Sequence, residues 1–151
     1  VILRVVLQHV SEARVEVDGR VVGEIGFGHV LLVAIAADDT EAELAWMAEK
    51  VVDLRVCRDE EGKLNRSLRD LGRGELLVVS QFTLYGNCRK GRRPSYVRSA
   101  PPEVAGPMCA KFVQMLRERG FAVAEGVFGA HMHLSLVNDG PVTLILEREH
   151  G

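Results

Sequence analysis

Paired cysteines are missing from this sequence, and two chemistries go with them. Cys57, Cys88 and Cys109 are its only thiols, and they stand far apart. They make no CxxC pair and no Cys/His zinc pattern, so neither a disulfide framework nor a metal site is expected. Free thiols in a reducing cytosol are the expectation. A long apolar run is missing too, since none approaches the ~18 residues that a membrane helix needs. The opening run from Val1 to Leu7 is broken by Arg4 and has no cleavage-site pattern, which argues against a signal peptide. The expected place of work is therefore the cytoplasm, without a membrane partner. Excess charge of either sign is also lacking: 19 basic residues face 21 acidic ones, for a formal net charge of -2. Any attraction for nucleic acid has to come from a local patch. There is no repeat, low-complexity tract or linker. There is also no Walker loop, no GxGxxG after a strand and no nucleophile elbow, so the common nucleotide-binding and serine-hydrolase signatures are excluded.

What is present is the balance of an ordinary globular chain: 151 residues, 47% hydrophobic and 26% charged. That fits a single domain over 1–151 with a real core. Ile2 to Val10 is rich in β-branched and aliphatic residues, and Ala13 to Val17 alternates. Asp18-Gly19 then supplies a hairpin turn before Arg20 to Ile25. His29 to Ala37 is a near-continuous apolar run, the pattern of a strand buried on both faces. Thr40 with Glu43 makes a capping box for a helix to about Leu54, whose apolar stripe is Leu44, Met47, Ala48, Val51 and Val52. A short hairpin is predicted around Asp59-Glu60-Glu61-Gly62, and another buried strand over Glu75 to Leu84. Pro101-Pro102 opens a second helix, with Met108, Phe112, Met115 and Leu116 on its apolar face and Gly120 at its end. Phe121 to Ala124, His131 to Val137 and Val142 to Glu147 read as strands. The expected architecture is a layered α/β/β domain: a curved mixed sheet, two main helices on one face and further strands covering the other.

Three segments carry the candidate chemistry. In Leu76 to Leu84 a buried apolar strand turns polar as it ends. Alternation puts Ser80 and Phe82 on one face, with Gln81 and Thr83 on the other. Polar groups there need partners, which either neighbouring strands or a bound ligand can supply. The loop Cys88 to Ser95 holds Arg89, Lys90, Arg92 and Arg93 within five positions, with no acid among them. Guanidinium forks match phosphate oxygens, so the loop is either a phosphate contact or a solvated face. Asn138-Asp139-Gly140-Pro141-Val142-Thr143 lies between two apolar strands. It is either a plain hairpin turn or, with a cis Gly140–Pro141 bond, a rigid main-chain feature with no side chain at Gly140 to obstruct a ligand. His131 and His133 face the same way on a strand but have no third ligand at a suitable spacing. His9, Ser11 and Glu12 are neighbours in sequence, which is not triad geometry.

Taken together, Ser80-Gln81-Phe82-Thr83, the Arg89 to Ser95 loop and Asn138 to Thr143 resemble the D-aminoacyl-tRNA deacylase family. Arg4-Val5-Val6-Leu7-Gln8, Gly126-Val127-Phe128-Gly129-Ala130 and the overall length extend the similarity over nearly the whole chain. The resemblance implies a cofactor-free homodimer that hydrolyses the ester of D-aminoacyl-tRNA, and of glycyl-tRNA, at sites on the subunit interface. Ser80, Gln81 and Phe82 would bind the adenosine and the aminoacyl group, with Thr83 as the candidate catalytic residue. Gly140 and Pro141 of the partner subunit would exclude L-aminoacyl groups, and Arg89, Lys90, Arg92 and Arg93 would meet tRNA phosphates. One position departs from the pattern. Family members usually carry an arginine after the Gln of the first strand, where it helps to hold the Gly-Pro segment; here that residue is His9, which lacks the five-donor fork.

Overall fold

The computed structural model describes residues 2–149. Strand β1, Ile2–Val17, runs without interruption for 16 residues. Asp18 and Gly19, both at positive φ, turn the chain into β2, Arg20–Ile25, which pairs antiparallel with the second half of β1. β3, Gly28–Ala34, pairs antiparallel with the first half, from Arg4↔Ala34 to Val10↔Gly28. It is buried almost throughout, as its unbroken apolar sequence requires.

Helix α1, Glu41–Asp53, opens on the expected capping box, in which Thr40 and Glu43 satisfy each other's main-chain N–H groups. β4, Cys57–Arg58, and β5, Leu64–Arg66, form the short antiparallel hairpin. Helix α2, Leu68–Leu71, is a single turn capped by Ser67 and Asp70. β6, Glu75–Ser80, lies parallel to β3 and ends in a 3-10 turn over Phe82–Tyr85. Helix α3, Pro102–Glu118, starts with Pro102 in its first turn, where the missing N–H has no partner to lose. β7, Ala122–Glu125, pairs parallel with β6. β8, His133–Glu149, runs antiparallel along the whole other edge of β1.

Helices α1 and α3 pack on one face of the sheet. Leu44, Met47 and Val51 from α1 and Phe112 and Leu116 from α3 meet Leu3, Val5, Leu7, Leu31 and Leu76 in one buried cluster. Each of these large side chains contributes about 1.5–3 kcal/mol by leaving water. The opposite face is covered by the sheet itself. β1, β2 and β8 curl over, and Ala13, Val15 and Ile25 close on Val30, Leu77 and Val79, with Leu134 and Leu136 packed against them. The curl brings β2 so near β7 that a Cβ at Gly23 would lie 2.4 Å from the Glu125 carbonyl oxygen. A mixed, nearly barrel-shaped sheet with helices on its outside is the result. The expected layers are present, with the covering strands continuous with the sheet they cover.

Three expectations are corrected. Ile2 to Val17 is one strand, not two, because β8 pairs along its whole length and shifts register around His9 instead of breaking. The chain does not turn back at Asn138 to Pro141. β8 carries on through a bulge, with Gln8 opposite Thr143 and Val10 opposite Asn138. β6 stops at Ser80 and not at Leu84, since Gln81 adopts φ −142, ψ 73 and the next residues coil into the 3-10 turn. Alternation therefore does not sort Ser80 to Thr83 onto two faces. Helix α2 was not foreseen, and α3 accommodates Pro107 in its interior.

Candidate functional site

The end of β6 is held by β1 and β3. Gln81 N–H donates to the Val33 carbonyl at 2.8 Å, which extends the β3 pairing by one residue. In the 3-10 turn, Leu84 N–H returns to Gln81 O at 3.1 Å and Gly86 N–H to Thr83 O at 2.9 Å. Tyr85 is buried, and its hydroxyl reaches the carbonyls of Ala34, at 2.9 Å, and Ile2. Arg4 Nη1 donates to Leu84 O at 2.8 Å. The turn is thereby fastened to β1 and β3. The leading N–H groups of a helical turn, here those of Phe82 and Thr83, have no partner within it.

Ser80, Gln81 and Phe82 line a cavity of about 610 Å³. Its other walls come from the first turn of α3, with Pro101, Pro102 and Ala105, and from Phe128 to Met132 before β8. The volume suits a nucleoside-sized ligand. The lining is mostly apolar, and His131 is its one titratable side chain. Phe82 is 52% exposed and Phe128 43%, unusual for aromatic rings beside a cleft unless something covers them. Thr83 is exposed and is not among the cavity's lining residues; its hydroxyl accepts from Gln81 Nε2.

The basic loop starts just beyond. Asn87 and Ser95 exchange main-chain hydrogen bonds of 2.8 and 2.9 Å, which close the segment between them into a tied loop. Arg89, Lys90, Arg92 and Arg93 all project into solvent from it. Tyr96 at its base meets Phe82 edge to face, with ring centroids 5.2 Å apart, so the loop and the cavity rim are in direct touch.

Gly140 and Pro141 are elsewhere. Their peptide bond is cis, and both residues are exposed at the crest of the β8 bulge. Asn138 ties the bulge at its base: its Nδ2 donates to His9 O at 2.9 Å and to Val142 O at 3.0 Å. Thr143 Oγ1 donates to Asn138 Oδ1 at 3.3 Å and accepts from Gln8 Nε2 at 3.4 Å. Gly140 has φ +130, and a Cβ there would come within 2.8 Å of Val142 Cγ2, so only glycine fits without strain. Gly140 lines a second, smaller cavity of about 220 Å³ shared with His9, Phe27, Arg73 and Asp139. Within one chain, then, the Gly-Pro segment and the Ser80 to Thr83 segment open into different cavities.

Residue 9 is buried, 6% exposed. Its imidazole stands edge-on to Phe27, and its Nδ1 is 3.2 Å from His29 Nδ1. Burial lowers the affinity of His9 for a proton, against the pull of Asp139, and brings His29 down to about 4, with His9 as the lesser cause. Both rings are neutral at pH 7. Cys57 completes the group, its thiol pushed up by burial with Arg73 opposing. One ligand atom from each of His9, His29 and Cys57 lies within 4.8 Å of the others. The spacing of these residues along the chain gave no sign of the cluster, which β1, β3 and β4 assemble. Asn138 also went unassigned in the sequence, where its place in a turn-like motif hid its bracing role. Phe128 entered the sequence reading only within the Gly126 to Ala130 stretch of the family resemblance, with no role assigned to it.

Residues 6–147 match the model of the D-Tyr-tRNA(Tyr) deacylase family. A D-aminoacyl-tRNA deacylase of Thermus aquaticus is 55% identical over 145 residues, covering 96% of this chain and 95% of that one. One of Desulfitobacterium hafniense is 52% identical over 147 residues, covering 97% and 98%. Among solved structures, a c-Myc DNA Unwinding Element Binding Protein superposes with a TM-score of 0.90 at 39% identity, covering 97% of this chain and 99% of that one. A probable eukaryotic D-amino acid tRNA deacylase shares the fold, with a TM-score of 0.84 at 19% identity over 98% of this chain and 100% of that one. The cleft beside Ser80 to Phe82, the tied basic loop and the braced Gly140–Pro141 bulge thus belong to a member of the D-Tyr-tRNA(Tyr) deacylase family.

Proposed function

We propose that this protein hydrolyses the ester between a D-amino acid and the terminal ribose of tRNA, releasing free amino acid and tRNA, and so proofreads chirality in the cytoplasm. The observation that carries the reading is the braced bulge. It is a main-chain projection with glycine at its crest, fixed at its base by Asn138, and Gly140 opens on a cavity other than its own chain's large one. Such a projection serves as a steric gate when a second copy brings it to the Ser80–Thr83 rim. A gate that reads the α-carbon refuses the L-isomer, accepts D-residues and glycine, and tolerates many side chains. β8 supports the pairing of copies. Among the described residues it meets another strand on one edge only, and it presents Val137, 49% exposed, and Ile145, 67% exposed.

Little chemical assistance is needed, because an aminoacyl ester is intrinsically labile. Water adds to the carbonyl carbon and the ribose oxygen leaves with a proton. A hydroxyl of the tRNA's own ribose helps to activate that water. The leading N–H groups of the turn, those of Phe82 and Thr83, offer stabilisation to the developing oxyanion. Arg89, Lys90, Arg92 and Arg93 hold the acceptor stem through its phosphates.

Incubation with D-tyrosyl-tRNA, with uncharged tRNA and with an aryl ester separates the possibilities. The proposal expects cleavage of the first, salt-sensitive binding of the second and no turnover of the third. Binding without cleavage would leave an RNA-binding module, and turnover of the aryl ester would leave a small-molecule esterase.

A further inference from the structure

We propose that His9, His29 and Cys57 form a metal site of the zinc type beneath the Gly140–Pro141 bulge. Three strands deliver one ligand each: β1 His9, β3 His29 and β4 Cys57. One donor atom from each already lies within 4.8 Å of the other two. In a tetrahedral zinc site, bonds of about 2.0–2.3 Å place donor atoms roughly 3.3–3.8 Å apart, so a closure of about 1 Å suffices.

The second observation is an orphan. His29 is fully buried at 0% exposure, and its Nε2 has no hydrogen-bond partner among the described residues. The other nitrogen, Nδ1, lies 3.0 Å from Gly28 O, so a simple hydrogen-bonded core histidine accounts for one side of the ring only. Buried polar atoms are seldom left in this condition without a reason. Two imidazoles and a thiol are borderline-soft donors, which select zinc-like ions over magnesium or calcium.

Access comes from the smaller cavity, lined by His9, Cys57, Arg58, Arg73, Asp139 and Gly140. The ion reaches its ligands from there, and water or the Asp139 carboxylate completes the coordination. Arg58 and Arg73 oppose a cation, while Asp139 on the same wall and Asp70 near Cys57 favour it. As the sulfur–metal bond forms, the Cys57 thiol proton passes to solvent, one proton per ion. The consequence for the fold is local. His9 lies opposite the bulge in the β1–β8 ladder, so ligation would pin the floor on which Gly140 and Pro141 stand. None of the three ligands takes part in the hydrolysis proposed above, and the site does not depend on that reading.

The test uses the full chain carrying Cys88→Ser, which removes the exposed thiol, after treatment with a chelator and desalting. Zinc chloride is added, excess is removed and metal per chain is measured; cobalt(II) chloride replaces it for spectroscopy. The expected result is one equivalent retained, a thiolate-to-cobalt absorption in the near ultraviolet and a higher Tm in the presence of zinc. Cys57→Ala and His29→Leu should each abolish the absorption and lower retention by about tenfold or more. Should either variant fail to fold, the parent decides: zinc should slow alkylation of Cys57 by about tenfold. No retained metal, retention undiminished in Cys57→Ala, unchanged alkylation, or loss with His131→Ala instead of His29→Leu would each overturn the site.

Discussion

Thr83 offers its hydroxyl to Gln81, whose side-chain amide donates to it, and no carboxylate or imidazole is among its hydrogen-bond partners. A threonine nucleophile needs a nearby base, and the cavity's one titratable group, His131, lines a cavity that Thr83 does not line. Thr83→Ala should therefore keep single-turnover cleavage of D-tyrosyl-tRNA within about tenfold of the parent, whereas a fall of about a thousandfold would make Thr83 the nucleophile. His9 presents a different question. The sequence identified it as a departure, but not that its ring would turn inward to His29 and Phe27, nor that the Asn138 side chain would tie the bulge to its carbonyl. A guanidinium at position 9 would have Asp139 in the same cavity as counter-charge and more donors for the bulge. His9→Arg should raise the ratio of D- to L-tyrosyl-tRNA cleavage rates; equal ratios in the two proteins would contradict this. Ser80, Gln81, Thr83, Gly140 and Pro141 stood out in the sequence as polar or conformationally special residues among apolar stretches. Their exact partners were not legible, since partners are set by register between strands distant in sequence.

At the scale of elements, the β8 bulge and the basic loop each have a testable function. Asn138→Ala removes both hydrogen bonds that close the bulge and leaves the His9 and Val142 carbonyls without them. That should destabilise the protein by about 1–3 kcal/mol, visible as a lower Tm, and allow L-tyrosyl-tRNA to be cleaved faster. An unchanged Tm and unchanged L-rate would show that the bulge holds itself. Replacing Arg89, Lys90, Arg92 and Arg93 one at a time by alanine should raise KM with kcat unaltered. Each replacement that frees a phosphate should lower the slope of log affinity against log salt by about 0.7–0.9. Unaltered salt dependence would assign those side chains to solvent. Elements with strong local signals were read correctly: the Thr40–Glu43 capping box, the Asp18-Gly19 turn and the Pro102 helix start each act within a few residues. The signals that misled were also local. Gly-Pro after Asn-Asp has turn chemistry, yet β1 is long enough to pair with both flanks of the segment and keep it in one strand. Ser-Gln-Phe-Thr reads as strand, yet Tyr85 and Arg4 pull it into a 3-10 turn through hydrogen bonds to or from groups about eighty residues away in sequence.

Over the whole molecule, composition and periodicity were enough for the layers and for which face the helices cover. The curl that makes the sheet nearly a barrel was not contained in any one strand. It arises where small residues such as Gly23 let β2 approach β7, and where β1 is shared by β2, β3 and β8. Within one chain the large cavity and the cavity beneath the Gly140–Pro141 bulge share no lining residue, so the proposed gate is one between copies. Single-turnover cleavage of D-tyrosyl-tRNA and L-tyrosyl-tRNA, measured side by side at one salt concentration, tests this most directly. Ordinary side-chain complementarity discriminates by about 10–200-fold, and a steric gate should exceed that in favour of the D-isomer. Equal rates on the two substrates would contradict it.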